Sequence, residues 1–160
     1  MQLHLPVLFG KVLTLVCGSM ATFYLDTNEV ESAEECGVNA AGIIRTSHEV
    51  NVFQMAQLHM IAGRVHARQG QFHPALEHFE NSKDQLKVQL DSENLDNAIM
   101  ATRGTAMSDF YIASVLERKG EFGDAVEKYQ RALDMFCRMI SIEDHELQMV
   151  ADTLVNVQRR

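Results

Sequence analysis

The sequence has no tryptophan, two prolines, nine glycines and three cysteines in 160 residues. Each shortage closes off a class of structure. With Pro6 and Pro74 its only prolines, the chain lacks the turn formers that a fold of many short strands needs. Cys17, Cys36 and Cys137 are scattered and contain no Cys-x-x-Cys pair, which excludes a disulfide framework and points to reduced, packed thiols in a reducing compartment. Basic residues are also scarce: 14 Lys and Arg stand against 22 Asp and Glu, a net charge of -8. That sign argues against a nucleic-acid partner, whose phosphates call for a dense cationic surface.

Long uninterrupted apolar runs are missing too. The N-terminal stretch "MQLHLPVLFGKVLTLVCGSMA" is apolar, but Lys11 sits inside it and no positive charge precedes it. A secretory signal has the opposite arrangement, and the uncharged stretches are too short to span a bilayer. The expectation is a packed helix, no membrane partner and a cytoplasmic protein. Nor does the chain hold a Gly-rich phosphate loop, a nucleophile elbow or a paired-cysteine motif. No catalysis and no cofactor are expected.

What the chain does contain is 46% apolar and 22% charged residues, enough for one globular domain spanning 1–160. It also contains a repeat. "GQFHPALEHF" starts at Gly70 and "GEFGDAVEKY" at Gly120, and both read Gly-x-Phe-x-x-Ala-[Leu/Val]-Glu-x-[Phe/Tyr]. Upstream, Ala56 and Ala106 open matching helical patterns, with a small residue (Gly63, Ala113) seven positions on. Downstream, Phe72 and Phe122, Ala75 and Ala125, then Phe79 and Tyr129 fall on one helical face. Two antiparallel helices approach closely only where small residues face each other, and the aromatics then fill the wedges between hairpins. The glycine ends the first helix, because it alone takes a left-handed cap at little cost. Pro74 falls in the first turn of the second helix, where its missing N–H is harmless.

The register continues in both directions. Thr14, Ala56, Ala106 and Ala151 are spaced by 42, 50 and 45 residues. From Thr14 the degenerate first copy supplies Ala21, Tyr24, Ala33 and Ala40, with Asn28 standing where the turn glycine belongs. The excess in the middle interval lies around "LDSENLDNAIM", a longer connection or an extended helix. "TSHE" (Thr46–Glu49) and "SIED" (Ser141–Asp144) have capping-box spacing ahead of first helices. Repeats are thus expected at about 14–47, 56–90 and 106–140, with a trailing helix at 146–160.

Small-then-aromatic helix pairs of this kind resemble the tetratricopeptide repeat. The period exceeds the roughly 34 residues of the common form. With "EDH" (Glu143–His145) ahead of "VADTLVNV", it is similar to the kinesin light chain subclass. The resemblance implies an all-α fold: an α-solenoid of antiparallel helix pairs wound as a right-handed superhelix. It also implies a non-catalytic adaptor that binds a protein or peptide partner in a concave groove lined by first helices. In this chain the groove would be lined by Gln57, Met60, Arg64 and Arg68, by Met107, Phe110, Ser114, Glu117 and Arg118, and by Asp152, Val155 and Arg159. The mixture of Met, Phe and Arg suits a short acidic segment with apolar anchors. The alternative is a structural piece that self-associates through open repeat ends, as a homo-oligomer or part of a longer array.

Two further clusters invite a chemical reading. His59, His66, His73 and His78 are spaced by seven, seven and five residues, which misses the spacings of a helical metal site, so no metal is expected. Glu29, Glu31, Glu34 and Glu35 read as the solvated side of a helix.

Overall fold

The computed structural model describes residues 5–46, 51–139 and 152–157. All regular structure among them is helical: α1 (Leu5–Asp26), α2 (Val30–Thr46), α3 (Val52–Arg68), α4 (Phe72–Leu86), a 3-10 turn (Lys87–Gln89), α5 (Leu95–Lys119) and α6 (Phe122–Arg138). Residues 152–157 are helical as well. The all-α expectation is met.

Consecutive helices pair most extensively as α1 with α2, α3 with α4 and α5 with α6. The first helix of each pair ends in the same way. Asn28, Gly70 and Gly120 have φ of 64°, 75° and 84°, the left-handed conformation expected of them. The amide that follows each reaches back to a helical carbonyl: Glu29 to Tyr24 at 2.7 Å, Gln71 to His66 at 2.9 Å and Glu121 to Leu116 at 2.9 Å. These bonds satisfy carbonyls that the helix end would leave bare. Each reversal is therefore set by one residue that tolerates positive φ.

Within the second pair, His59 meets His78 and the Ala56 carbonyl accepts a 2.9 Å hydrogen bond from Ser82 Oγ. Partners that recede together from the turn make α3 and α4 antiparallel. Between pairs the first helices run parallel: Asp26 and Asn28 face Arg64 and Arg68, while Arg64 and Ala67 face Tyr111 and Arg118. The small positions explain the close approach. A Cβ on Gly63 would come within 2.6 Å of the Phe79 ring. Ala75, Ala106, Ala113, Ala125 and Ala132 are wholly buried.

The largest core cluster joins α4, α5 and α6 around Phe79, Phe110, Tyr129 and Phe136, and it also takes in Leu154 and Val157. Each large side chain there contributes about 1.5–3 kcal/mol by leaving water. A second cluster, Ala21, Leu25, Ala33, Ile61 and Val65, ties α1 and α2 to α3. Among the described residues no helix is long and apolar enough to cross a membrane.

The structure refines or corrects several finer expectations. The long middle interval is both connection and helix: a 3-10 turn, a short loop, and an α5 that begins at Leu95 with Asn94 as its N-cap. Thr46 closes α2, and the N-cap of α3 is Asn51, whose side chain accepts from the Phe53 amide at 2.9 Å. The rest of "TSHE" and all of "SIED" lie outside the described residues. Cys17 and Cys36 are half-buried, but Cys137 is exposed rather than packed. Asp109 and Ser82, though polar, are buried in the helix packing.

Candidate functional site

A helix that repeats side chains at steps of three and four aligns them on one face. Gln57, Met60, Arg64 and Arg68 do this on α3, and Met107, Ser114 and Arg118 do it on α5. Because α1, α3 and α5 lie side by side, these faces adjoin. Between them opens a cavity of about 580 Å³ whose wall includes Gln57, Met60, Arg64 and Met107. Next to it a smaller concavity of about 390 Å³ is lined by Arg64, Arg68, Ser114 and Arg118. Arg64 borders both.

The first concavity has an apolar floor, with Phe53, Leu86 and Met100 joining the two methionines. Methionine side chains adapt their shape to irregular partners. The second is cationic and polar, and its arginines are held in place by neighbours. Arg64 donates to Asp26 Oδ1 at 2.6 Å and lies over the Tyr111 ring at 5.2 Å. Tyr111 in turn stacks on Phe79, the ring that fills the space left by Gly63. Arg68 reaches Asn28 Oδ1 at 3.5 Å. Arg118 donates to the Ala67 carbonyl and covers the Phe72 ring at 5.0 Å. Stacked and hydrogen-bonded guanidinium groups lose less freedom when a carboxylate arrives.

The remaining expected groove residues are placed otherwise. Phe110 lies beneath the surface, packed against Tyr111 and Tyr129 and only 9% exposed, so it supports the groove rather than lining it. Glu117 is half-buried and accepts a 3.1 Å hydrogen bond from the Tyr129 hydroxyl, which ties α5 to α6. Asp152 and Val155 are exposed on the trailing helical segment, and Arg159 lies outside the described residues.

Several lining residues lie outside the groove expected from the sequence, and Met100, Arg103 and Tyr111 are the most informative of them. A signal for the first two was present, because steps of four and seven back from Met107 land on them. The sequence alone leaves the segment around Met100 open between a longer connection and an extended helix. Tyr111 is adjacent to a buried position and takes its place through the cation–π contact with Arg64.

The acidic run is solvent-exposed at Glu29, just ahead of α2, and at Glu31, Glu34 and Glu35 within it. Among the described residues no group of three or more His, Cys, Asp or Glu side chains is arranged to hold a metal ion. His73 is exposed, whereas His59, His66 and His78 converge where α3 meets α4.

No protein-family model, curated protein or solved structure matches the chain.

Proposed function

We propose that this chain is a non-catalytic interaction module of tetratricopeptide type, an α-solenoid that binds an extended peptide in the groove formed by α1, α3 and α5. The peptide's apolar anchor enters the methionine-lined floor, and an acidic residue meets Arg64 or Arg118. The observation that carries this reading is the position of Arg64. It stands at the junction of the apolar and cationic concavities, stacked on Tyr111 and paired with the exposed carboxylate of Asp26. A peptide carboxylate can occupy the same place as that of Asp26, with the bidentate geometry that arginine favours. The pairwise packing and the thrice-repeated left-handed turn support the solenoid arrangement. Unpaired thiols accord with a cytoplasmic setting.

The test is selection from a displayed peptide library, followed by fluorescence anisotropy on the selected sequences. Enrichment of peptides that combine an acidic residue with one or two large apolar residues is expected. The Arg64→Glu, Arg118→Glu double variant should stay folded and lose their binding. Selection of basic or featureless peptides, or undiminished binding by the variant, would move the site off this face.

A second reading rests on α1. Val16, Met20 and Phe23 follow helical spacing and are 45%, 42% and 61% exposed, an apolar stripe on the side away from Leu25. Self-association through this end would give a mass that rises with concentration and falls back in a Phe23→Asp variant.

A further inference from the structure

A second cavity, of about 320 Å³, lies between α2, α3 and α4. It opens on the other side of α3 from the peptide groove, with Ile61 the one lining residue they share: at the helical period, Ala62 and His66 project opposite to Met60 and Arg64. Its wall is formed by Val38 of α2 and by Leu58, Ala62 and Val65 of α3, all apolar. Its polar edge is formed by three imidazoles, His59 and His66 of α3 and His78 of α4. An apolar hollow with a few converging polar groups is the usual form of a small-molecule site.

The imidazoles are in mutual contact. The Nδ1 atoms of His59 and His78 are 3.1 Å apart, so a single proton lies between them, donated by one ring and accepted by the other. The His66 ring stacks on His78 with centroids 5.3 Å apart and planes within 7°. His66 Nδ1 sits 2.6 Å from Gln71 Oε1, so it carries a proton that the amide oxygen accepts. A proton added to the His59–His78 pair goes to the open Nε2 of the ring that donates, which keeps the N–H···N contact but sets a positive charge in a partly buried site. Burial also lowers the pKa of both rings, and the other two imidazoles lower that of His78 further.

Little in the surroundings offsets such a charge. Glu77, beside His78 on α4, acts in the raising direction but ranks last among the influences on that ring. On the α2 side the lining carboxylate is Glu34, which is exposed and accepts a 3.2 Å hydrogen bond from Gln69 Nε2. The imidazole edge suits an anion and the apolar wall suits a hydrocarbon body, and one molecule can present both.

We propose that this cavity binds a small aliphatic carboxylic acid. Its chain lies against Val38, Leu58, Ala62 and Val65, and its carboxylate meets the His59–His78 pair. Binding takes up one proton from solvent: the anion enters, the neutral imidazole pair becomes singly protonated, and the bound complex carries no added net charge. The proton taken up sits on the Nε2 of the donor ring, and the carboxylate accepts that N–H while the hydrogen bond between the rings persists.

Octanoate and 1-octanol serve as probes, titrated calorimetrically into the full chain in two buffers of different ionisation enthalpy. Octanoate should bind with uptake of close to one proton and at least tenfold more tightly at pH 6 than at pH 8. Octanol should bind more weakly and without pH dependence. His78→Phe, which keeps a ring for stacking, should lose at least tenfold in octanoate affinity and all of the proton uptake, yet keep octanol. Val38→Asp, at an exposed wall position, should lose both. Absence of octanoate binding, equal and pH-independent binding of the two probes, or an unaltered His78→Phe would each overturn the proposal. Because peptide binding uses the other side of α3, either site can fail its test without the other.

Discussion

Lys83 Nζ of α4 lies 2.8 Å from Oδ1 of Asp109 on α5, a carboxylate with no solvent exposure at all. Arg131 Nε of α6 approaches the other oxygen at 3.2 Å, and Lys128 Nζ stands 3.8 Å from Oδ1. These are close ionic contacts rather than well-directed hydrogen bonds. One acidic residue thus holds cations from the helices on either side of α5.

Removing that carboxylate alone leaves Lys83, 13% exposed, with only Glu80 at 3.0 Å. Stripping one partner from a buried pair costs about 3–5 kcal/mol, and the surviving Glu80 contact puts Asp109→Leu near the lower end. Asp109→Leu with Lys83→Met replaces the pair by apolar packing and should recover most of the loss. Urea denaturation of the two variants checks this, and a double variant no better than the single would show that the carboxylate acts through other partners.

The same pair predicts behaviour in alkali. Burial pulls the Lys83 pKa down, but its short contact with Asp109 and the charges of Asp109 and Glu80 outweigh that and leave it raised. A raised folded-state value means the contribution to stability is complete below the unfolded lysine value of about 10.4 and disappears as pH climbs through the folded one. Melting temperature should therefore fall more steeply above that pH in wild type than in the Asp109→Leu, Lys83→Met variant. Parallel curves would remove Lys83 from the account.

The turns were legible in the sequence because positive φ is nearly a property of residue type. Asn28, Gly70 and Gly120 were each placed correctly from one residue and its spacing. The Asp109 cluster was not legible. A charge in an apolar register reads locally as a defect, and its cations come from Lys83 and Arg131, which lie on other helices. Phe110 was misplaced for a related reason: α5 has neighbours on both sides, so its apolar residues do not mark a single face. Met100 and Arg103 were missed because nothing local distinguishes the extended start of α5 from a linker until the Asn94 cap is seen.

Acid should destabilise the fold in a histidine-specific way. His59 and His78 have lowered pKa values in the folded state, both through burial first. Between those values and the unfolded one of about 6.5, the unfolded chain binds more protons, so stability falls as pH drops through that window. Replacing His78 by Phe should flatten the wild-type slope of melting temperature between pH 6.5 and 5, read as the difference between the two proteins. An unchanged slope would mean that the imidazole pair is solvated in solution.

The helix crossings should be intolerant of volume. Gly63 faces the Phe79 ring at a distance that leaves no room for a side chain, and Ala125 is wholly buried against α5. Gly63→Val and Ala125→Leu should each destabilise by about 1–3 kcal/mol through overpacking. Chemical denaturation midpoints measure this, and an unchanged midpoint for either would place that residue away from a crossing.

Asp26 offers the most discriminating test of the groove. Its carboxylate holds Arg64 at 2.6 Å, yet its side chain is 64% exposed while that of Arg64 is 14% exposed. A pair so open to water on one side contributes only about 0–1 kcal/mol to folding, so Asp26→Asn should leave the melting temperature nearly unchanged. Its effect on binding should be larger. In the wild type an incoming peptide carboxylate competes with Asp26 for the guanidinium, and in Asp26→Asn it does not. Affinity for an acidic peptide should rise several-fold, with a steeper dependence on salt, because an additional unscreened charge takes part. A neutral analogue of the same peptide should show no gain. Weaker binding of the acidic peptide by Asp26→Asn would instead mean that Asp26 orients Arg64 for its ligand rather than occupying the ligand's place.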